Sequence, residues 1–426
     1  MTQVVFFDYW TEGIHCFLPI AKRLRGEGID SKLIHLGSWR DPQIAIEETI
    51  EGLPCSDIRY YGGSIQNAIE RESPKVLLTL NTTLPMDRVV NRICRTMGVK
   101  TVYLMHGILP VGHNIEEAAR QMDMSLPLAR RLGKLPKYAR IISLYMKALL
   151  KDSFYEFADL SNYLHFLQGL LSPGHVLYRP WPHKDIYSDK ALSYAEVYRE
   201  LLINEIGYPP ERVVVVGNPN LDAAFELLRD NSAYSQSYSL LQQIGVPQGR
   251  LAVVYMEEAW AALGLAGWTE ATLVEEVRQI ASAVQCAGMD LIVKMHPNSS
   301  PDPLRRSFSG ERHVHIISEA NLPRLVLGCV ATLGHVSTTL MLPVVLQRPL
   351  IVPLWSPGLG RFDYFVTQGV GIPVSTPENL TRVLMQLEKE YAKHLNLREV
   401  FIKRFITHTD GQSWERITRE IMEFIC

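Results

Sequence analysis

Several common sequence features are absent from this 426-residue chain, and each absence excludes a class of protein. Neither charge dominates, because 43 Lys and Arg face 45 Asp and Glu, whereas a nucleic-acid-binding protein is usually strongly basic. No uninterrupted apolar run reaches the roughly 18 residues that cross a membrane. The opening MTQVVFFDYW has no basic segment and no cleavage site, so we expect no signal peptide and a cytoplasmic protein.

Clustered cysteines are absent as well. The six cysteines form no CxxC pair and no short Cys/His group. This spacing predicts free thiols in a reducing compartment, and it indicates neither a disulfide framework nor a zinc site. The residues are Cys16, Cys55, Cys94, Cys286, Cys329 and Cys426.

What the sequence does contain is typical of a globular α/β protein. Apolar residues make up 47% and charged residues 21%, and the length exceeds what one compact core accommodates, so we expect two domains. Short apolar runs alternate with helical patterns in both halves, which predicts two doubly wound parallel sheets. The runs are VVFFD, SKLIHLG, VLLTL, TVYLMHG, DIYSD and RVVVVG, then LAVVYME, LIVKMHP, VHIIS, CVATLG, LIVPLW and GIPVS.

Polar and turn-forming residues within 230–248 mark the expected domain boundary. We assign an N-terminal domain to residues 1–235, with a helical insert near 115–180, and a C-terminal domain to 236–405. The remaining 406–426 contain an amphipathic helix, QSWERITREIMEFI. The sequence leaves open whether this helix packs locally or crosses back to the first domain.

Ligands of open parallel sheets bind at the carboxyl ends of the strands, and two such ends in the first half carry polar groups. After the first strand, Glu12 and His15 flank the start of a helix, and Gly13 permits a close turn. A carboxylate there either faces a substrate or is simply favoured by the helix dipole. A later strand ends in His106 and Gly107, where the histidine is either a catalytic group or a structural hydrogen-bonding residue.

Two strand ends in the second half suit an anion. Lys294 and His296 alternate with apolar residues, which predicts that they point to the same side, and Pro297 stops the strand. An imidazole held there can donate a hydrogen bond to a phosphate. Further on, Ser337, Thr338 and Thr339 open a predicted helix, where backbone N–H groups and hydroxyls form either an anion site or an ordinary N-cap.

Together these segments resemble a GT-B glycosyltransferase, in which two Rossmann-like domains with parallel sheets face a cleft. More narrowly they are similar to the group of CDP-glycerol glycerophosphotransferases, bacterial polysialyltransferases and capsule Kdo transferases. The resemblance is carried by His106-Gly107, VVVVGNPNLD at 213–222, His296-Pro297 and the Ser/Thr cluster at 337–339.

The resemblance implies transfer of a sugar or glycerophosphate from a CMP- or CDP-linked donor to a glycan or lipid-linked glycan of a surface polysaccharide, such as capsule or lipopolysaccharide. The donor is a substrate, and no cofactor is implied. Lys294, His296, Ser337, Thr338 and Thr339 would bind the donor phosphate. His106 would lie across the cleft near the acceptor, with Gly13, His15 and Gly107 on the acceptor side. Catalysis would involve His106, Glu12 and His296, with Asp8 as a further candidate base.

The sequence departs from the wider fold class in ways that bear on the donor. Many enzymes that use UDP- or ADP-sugars carry a glutamate in the helix after the last motif, where this chain reads TLMLPVV; this favours a cytidine donor. No Asp-x-Asp occurs, so we expect a reaction that is independent of metal. Met105 stands where glutamine often precedes the His-Gly pair.

Two other functions remain open from the sequence. VVVVGNPNLD and HPN also resemble segments of non-hydrolysing UDP-GlcNAc 2-epimerases, and the same scaffold could bind sugar nucleotides or glycans without catalysis. Separately, 126–151 contain seven Lys or Arg and no acid, with apolar residues at helical spacing. This segment predicts either contact with the anionic inner face of a membrane or a helical lid over the acceptor.

Overall fold

The computed structural model describes residues 2–9, 11, 13–39, 41–82, 85–107, 187–264, 267–356 and 364–425. The chain divides into two compact units. The first comprises Met1–Asn218 together with Gln412–Cys426, and the second comprises Pro219–Gly411. The expected helical insert near 115–180 and the basic segment 126–151 lie outside the described residues.

The first unit is built on an eight-stranded sheet, sheet A, with the order β3-β4-β2-β1-β5-β6-β7-β8. All its strand pairs are parallel except the edge pair β3-β4. Its central strands are apolar and buried, as expected when helices cover both faces of a parallel sheet. The strands are β1 (Val4–Asp8), β2 (Ser31–His35), β3 (Glu47–Ile50), β4 (Leu53–Asp57), β5 (Val76–Thr79), β6 (Lys100–Leu104), β7 (Lys190–Ser193) and β8 (Val213–Val215).

Helices return the chain between these parallel strands. They are α1 (Ile14–Gly26), α2 (Ile65–Glu72), α3 (Pro85–Thr96) and α4 (Glu196–Leu201), which a π-helical turn, Leu202–Ile206, extends. Local chemistry fixes where α2 begins, because the Ser64 hydroxyl accepts the backbone N–H of Asn67 as an N-cap. The helices therefore cover the faces of the sheet, and loops lie at the ends of its strands.

The second unit is built on a six-stranded sheet, sheet B, with the order β11-β10-β9-β12-β13-β14. Every strand pair is parallel, so all its carboxyl ends meet at one edge. The strands are β9 (Ala252–Met256), β10 (Asp290–Lys294), β11 (Val314–Ile317), β12 (Ala331–Leu333), β13 (Leu350–Pro353) and β14 (Gly371–Val374).

The longest described helix of the second unit, α8, packs beside β10 and is capped by the Thr269 hydroxyl, which accepts the N–H of Thr272. The helices are α5 (Asp222–Leu227), α6 (Ala233–Ile244), α7 (Trp260–Leu263), α8 (Glu270–Cys286), α9 (Asp302–Ser307), α10 (Leu322–Gly328), α11 (Met341–Val345), α12 (Tyr364–Thr367), α13 (Pro377–Met385), α14 (Leu387–Ala392) and α15 (Leu395–Phe405).

The last helix, α16 (Ser413–Met422), belongs to the first unit, although α15 belongs to the second. Glu415 pairs with Arg23 of α1 at 3.1 Å. Glu420 pairs with Lys190 of β7 at 2.6 Å, and both of these side chains are largely buried. Ion pairs therefore connect α16 to the first unit, which also contains the first residues of the chain.

Three details differ from the sequence-based expectations. The division at Asn218/Pro219 precedes the expected 235/236, because residues 233–244 form helix α6 and not a linker. β7 lies at Lys190–Ser193, just after the expected strand DIYSD, which occupies residues 185–189. The hairpin β3-β4 was not expected, since its first strand is mostly exposed and polar and gives no apolar signal.

No helix among the described residues is both long and apolar enough to span a bilayer. The five described cysteines, Cys16, Cys55, Cys94, Cys286 and Cys329, are all free thiols. Burial raises the pKa of the Cys16 thiol to about 11, with a further contribution from Asp8, so this thiol stays protonated and unreactive at neutral pH.

Candidate functional site

The carboxyl edge of sheet B brings the two predicted anion-binding segments onto strands that flank β9. β10 lies on one side of β9 and leads into His296, and β12 lies on the other and leads into Ser337. Two strand spacings separate such loops by about 10 Å at the sheet. The His-Pro corner and the Ser/Thr turn therefore end at the same edge of the same sheet.

The imidazole of His296 is half-buried and has a defined tautomer. Its Nδ1 accepts the backbone N–H of Asn298 at 3.1 Å, so the proton of the neutral ring lies on Nε2. Burial lowers the pKa of His296; Lys294 lowers it further, while Glu257 and Glu258 act in the opposite direction. At neutral pH the ring is therefore uncharged and offers one N–H donor.

Lys294 is the last residue of β10, two positions before His296. Lys294 is only 9% exposed, and its ammonium donates to the carbonyl of Met295 at 2.6 Å. Burial lowers its pKa, against the attraction of Glu257 and Glu319.

The Ser/Thr cluster forms a tight turn that leads into α11. Ser337 is the N-cap of a 3₁₀ turn, Thr338–Leu340, and its hydroxyl lies 2.8 Å from that of Thr339 and accepts the Thr339 N–H at 3.3 Å. The three residues are half-buried. Gly334 allows this fold, because a Cβ there would lie 2.6 Å from Leu340 Cδ2.

The backbone N–H groups that open this turn are not free, which corrects the expectation of an open amide site. Glu258 Oε1 accepts from the N–H groups of His335, Val336 and Ser337 at 2.9, 2.9 and 3.0 Å. Glu258 Oε2 also accepts the indole N–H of Trp260 at 2.9 Å. An internal carboxylate therefore fills the amide cradle, and the hydroxyls of the turn remain as candidate ligand donors.

Glu257 likewise accepts backbone N–H groups, including one from the loop after β10 on the other side of β9. It is 5% exposed, and its Oε2 accepts the N–H of His296 at 2.9 Å while its Oε1 accepts the N–H of Ala259 at 2.7 Å. The sequence analysis missed both glutamates. The signal was present in YMEEAW, where two acids directly follow a buried strand.

A buried polar cluster lies behind the Ser/Thr turn. His335 is 1% exposed and packs edge-on against Tyr255 and Trp268 at centroid distances of 6.0 and 5.9 Å. Its Nε2 lies 3.7 Å from Glu276 Oε1 of α8. Burial lowers the pKa of His335 and raises the pKa of Glu276 to about 7, so both groups favour their neutral forms.

In the first unit, the turn after β1 is closed by Asp8. Its carboxylate accepts the N–H of Tyr9 at 2.8 Å and the N–H of Gly13 at 3.0 Å, and it is 3% exposed. A Cβ at Gly13 would lie 2.0 Å from Asp8 Oδ2. Gly13 is therefore required for the approach of this carboxylate.

The other residues expected near the acceptor lie at or close to the same edge of sheet A. His106 follows β6, which β5 separates from β1. The residue is exposed, although partial burial of its ring lowers its pKa, against a hydrogen bond with the backbone of Leu80. Gly107 has a left-handed φ of 81°, which favours glycine at this corner. His15 is exposed on the first turn of α1. Glu12 lies outside the described residues.

Within the described ranges, no group of three or more His, Cys, Asp or Glu side chains is arranged to hold a metal ion. At the carboxyl edge of sheet B, the described donors include the imidazole N–H of His296 and the hydroxyls of the Ser/Thr turn, where Ser337 and Thr339 also bond to each other at 2.8 Å.

Comparison with solved structures identifies the fold. It is α/β with two Rossmann-like units, the GT-B fold, as expected from the sequence. The wall teichoic acid polymerase TagF matches with a TM-score of 0.56 at 13% identity, over 100% of this chain and 89% of that one. No protein-family model and no curated protein matches the sequence.

Two further structures show the same likeness. The UDP-GlcNAc 2-epimerase of Methanocaldococcus jannaschii, in complex with UDP-GlcNAc and UDP, matches with a TM-score of 0.54 at 14% identity, over 99% of this chain and 100% of that one. WaaG, a glycosyltransferase involved in lipopolysaccharide biosynthesis, matches with a TM-score of 0.50 at 12% identity, over 98% and 99%. At these identities the likeness concerns the fold.

Proposed function

We propose that this chain is a glycosyltransferase that takes a sugar, or glycerophosphate, from a cytidine nucleotide and transfers it to a glycan or lipid-linked glycan of a surface polysaccharide. One observation carries the proposal. The His296 N–H donor and the hydroxyls of Ser337, Thr338 and Thr339 lie in the loops that follow the two strands flanking β9. Such an edge is where open α/β sheets bind nucleotides.

The solved structures support the same class of reaction. The TagF match is a polymerase of wall teichoic acid, and one of its structures comes from a crystal soaked with CDPG. WaaG acts in lipopolysaccharide biosynthesis. Both are proteins of surface-polymer assembly that share the GT-B fold with this chain.

In this proposal, the acceptor hydroxyl oxygen forms a bond to the transferred group as the bond between that group and the nucleotide phosphate oxygen breaks. Negative charge develops on the departing phosphate, and donors aimed at that charge lower the barrier. The His296 Nε2–H and the turn hydroxyls are such donors. The proton of the acceptor hydroxyl passes to a base.

We assign that base role to His106. Its side chain is exposed after β6, as a group that takes a proton from a substrate must be. Asp8, the alternative from the sequence, already accepts two backbone N–H groups and is 3% exposed. Glu12 remains a sequence-based candidate.

A cytidine donor is favoured over a uridine donor by the residues that follow the Ser/Thr turn. TLMLPVV contains no acid, and α11 covers Met341–Val345 of it. The helix therefore offers no carboxylate for the ribose hydroxyls, the contact expected in enzymes that use UDP-sugars.

A thermal-shift panel of CMP, CDP, UDP and GDP tests the proposal. We expect CMP or CDP to raise the melting temperature, and UDP and GDP to raise it less, because binding to the folded state stabilises it. A shift with UDP alone would contradict the cytidine assignment. Incubation of a labelled CMP- or CDP-linked donor with an acceptor glycan then distinguishes transfer from binding without catalysis.

The alternative is an enzyme like the non-hydrolysing UDP-GlcNAc 2-epimerases. The match to the Methanocaldococcus jannaschii structure, at a TM-score of 0.54, favours this candidate. It predicts stabilisation by UDP and conversion of UDP-GlcNAc in the absence of any acceptor, a conversion that NMR of the sugar nucleotide detects.

A peripheral membrane contact through 126–151 is also part of the proposal, since a lipid-linked acceptor lies at a membrane. It rests on the seven basic residues of that segment. Liposome pelleting with and without anionic lipid tests it: we expect co-sedimentation with anionic vesicles that is lost at high salt. Equal binding to neutral vesicles would contradict an electrostatic contact.

A further inference from the structure

The end of β9 is joined by hydrogen bonds to the loops that follow both neighbouring strands. Glu257 accepts the N–H of His296, and Glu258 accepts the N–H groups of His335, Val336 and Ser337. Each bond is 2.9 or 3.0 Å long. Two consecutive residues therefore connect the His-Pro corner to the Ser/Thr turn.

The two carboxylates are themselves held in place. Glu257 also accepts the N–H of Ala259, whose φ of 56° is left-handed and turns the chain back toward the carboxylate. Glu258 also accepts the indole N–H of Trp260, and Trp260 packs at 6.3 Å from Trp268, which contacts the His335 ring. The first turn after β9 therefore fixes both side chains.

We propose that Glu257 and Glu258 form a positioning clamp that sets the His296 imidazole and the 337–339 hydroxyls in register for one phosphate group. The clamp rests on the proposed function, because it concerns the same edge of sheet B. Its carboxylates act through the two loops and do not touch the nucleotide.

The clamp also restricts which groups contact the phosphate. Because the amides of residues 335–337 already serve Glu258, they are not available to the phosphate, whereas the imidazole N–H of His296 and the turn hydroxyls are candidate donors.

The test compares Glu258→Ala with Leu384→Ala. Leu384 is 2% exposed on α13 of the same unit, so Leu384→Ala lowers stability through a core cavity without removing a bond from either loop. We expect Glu258→Ala to weaken CMP or CDP binding about tenfold or more by isothermal titration calorimetry, because three backbone donors lose their acceptor. Leu384→Ala should retain the wild-type affinity.

Conservative variants distinguish the effect of the position of each glutamate side chain on nucleotide affinity from the effect of its charge. Glu258→Gln keeps one oxygen for the amides of residues 335–337, and we expect an affinity between those of the wild type and Glu258→Ala. Glu257→Gln should likewise weaken binding less than Glu257→Ala. If Glu258→Ala does not fold, Glu258→Asp, which withdraws the carboxylate by one methylene, replaces it in the comparison with Leu384→Ala.

Hydrogen exchange provides a reading that requires no ligand. Peptides that contain residues 335–337 should exchange about tenfold faster in Glu258→Ala than in Leu384→Ala, since those amides lose their acceptor. Equal exchange, or nucleotide affinity unchanged in Glu258→Ala, overturns the clamp and leaves the proposed function standing. Absence of cytidine nucleotide binding by the wild type overturns the proposed function, and the exchange measurement still decides whether Glu258 holds the turn.

Discussion

The two sheets begin with equivalent strands that end differently. β1 is the first strand of sheet A along the chain and ends at Asp8, and β9 is the first strand of sheet B and is followed directly by Glu257 and Glu258. These acids accept backbone N–H groups. Asp8 accepts from Tyr9 and Gly13 of its own turn, whereas Glu257 and Glu258 accept from loops that follow other strands. Asp8 thus closes its own turn, whereas Glu257 and Glu258 hold two loops that follow other strands.

This difference suggests a division of labour between the units. Sheet B offers a set of donors fixed relative to one another, which suits a charged group of defined shape such as a phosphate. The described edge of sheet A offers two exposed histidines, His15 and His106, beside the turn that Asp8 closes, and an imidazole suits proton transfer. Variants on the two edges should therefore differ in which kinetic quantity they change.

The largest effect is expected from His296→Ala on sheet B. Loss of a donor aimed at the departing phosphate should lower turnover roughly 100-fold or more, with a small change in melting temperature, because the ring is half-buried at a loop. His313→Ala is the matched control. His313 directly precedes β11 and therefore lies at the amino ends of the strands of sheet B, whereas the site lies at their carboxyl ends. Near-wild-type transfer by folded His296→Ala would remove this residue from the site.

A comparable loss of turnover with a different signature is expected from His106→Asn on sheet A. General-base catalysis contributes on the order of 100-fold or more, so kcat should fall while the affinity for CMP or CDP stays unchanged. Titration calorimetry and steady-state transfer measured on the same preparation check this. Weaker nucleotide binding in His106→Asn would contradict the division between the two edges.

A structural effect of intermediate size is expected at the closed turn after β1. Gly13→Ala should destabilise the protein by about 1–3 kcal/mol in denaturant unfolding, because its Cβ would overlap Asp8 Oδ2. Gly26→Ala, at the other end of α1, is the control, since no atom lies within 4 Å of a Cβ built there. Equal stability of the two variants would show that the turn yields easily.

The last effect is similar in size but depends on pH, and it concerns the buried polar cluster behind the Ser/Thr turn. Burial raises the pKa of Glu276 from 4.5 to about 7, so its contribution to stability is fully present below about pH 4.5 and is lost as the pH rises through about 7. Glu276→Gln cannot ionise and should be more stable than the wild type by roughly 1–3 kcal/mol at about pH 8, with little gain at about pH 5.

The control for this titration is Glu275→Gln on the same helix. Glu275 is exposed and pairs with Arg278 at 3.0 Å, so its loss should change stability by less than about 1 kcal/mol. A pH-independent difference between Glu276→Gln and the wild type would contradict the raised pKa of Glu276.

The sequence predicted the fold well, because the parallel strands are continuous apolar runs with helices between them. It failed where an element carries a weak apolar signal, as in the exposed strand β3, or where polar residues belong to a helix, as in α6. The domain division was displaced for the second reason.

For the site, the sequence could indicate His296 and the 337–339 cluster, because turn residues and hydroxyls at strand ends are local patterns. It could not show that the amides before Ser337 are taken by Glu258, which lies 77–79 residues away in the chain. Nor could it show that Lys294 donates to the adjacent carbonyl of Met295. Long-range pairing and side-chain direction depend on strand order, which the linear sequence does not contain.

The most direct test is a crystal structure of the chain soaked with CDP. We expect the phosphate to lie within hydrogen-bonding distance of His296 Nε2 and of at least one hydroxyl among Ser337, Thr338 and Thr339, with Glu258 still bonded to the amides of residues 335–337. A nucleotide bound elsewhere, or a phosphate that displaces Glu258 from those amides, would contradict the account.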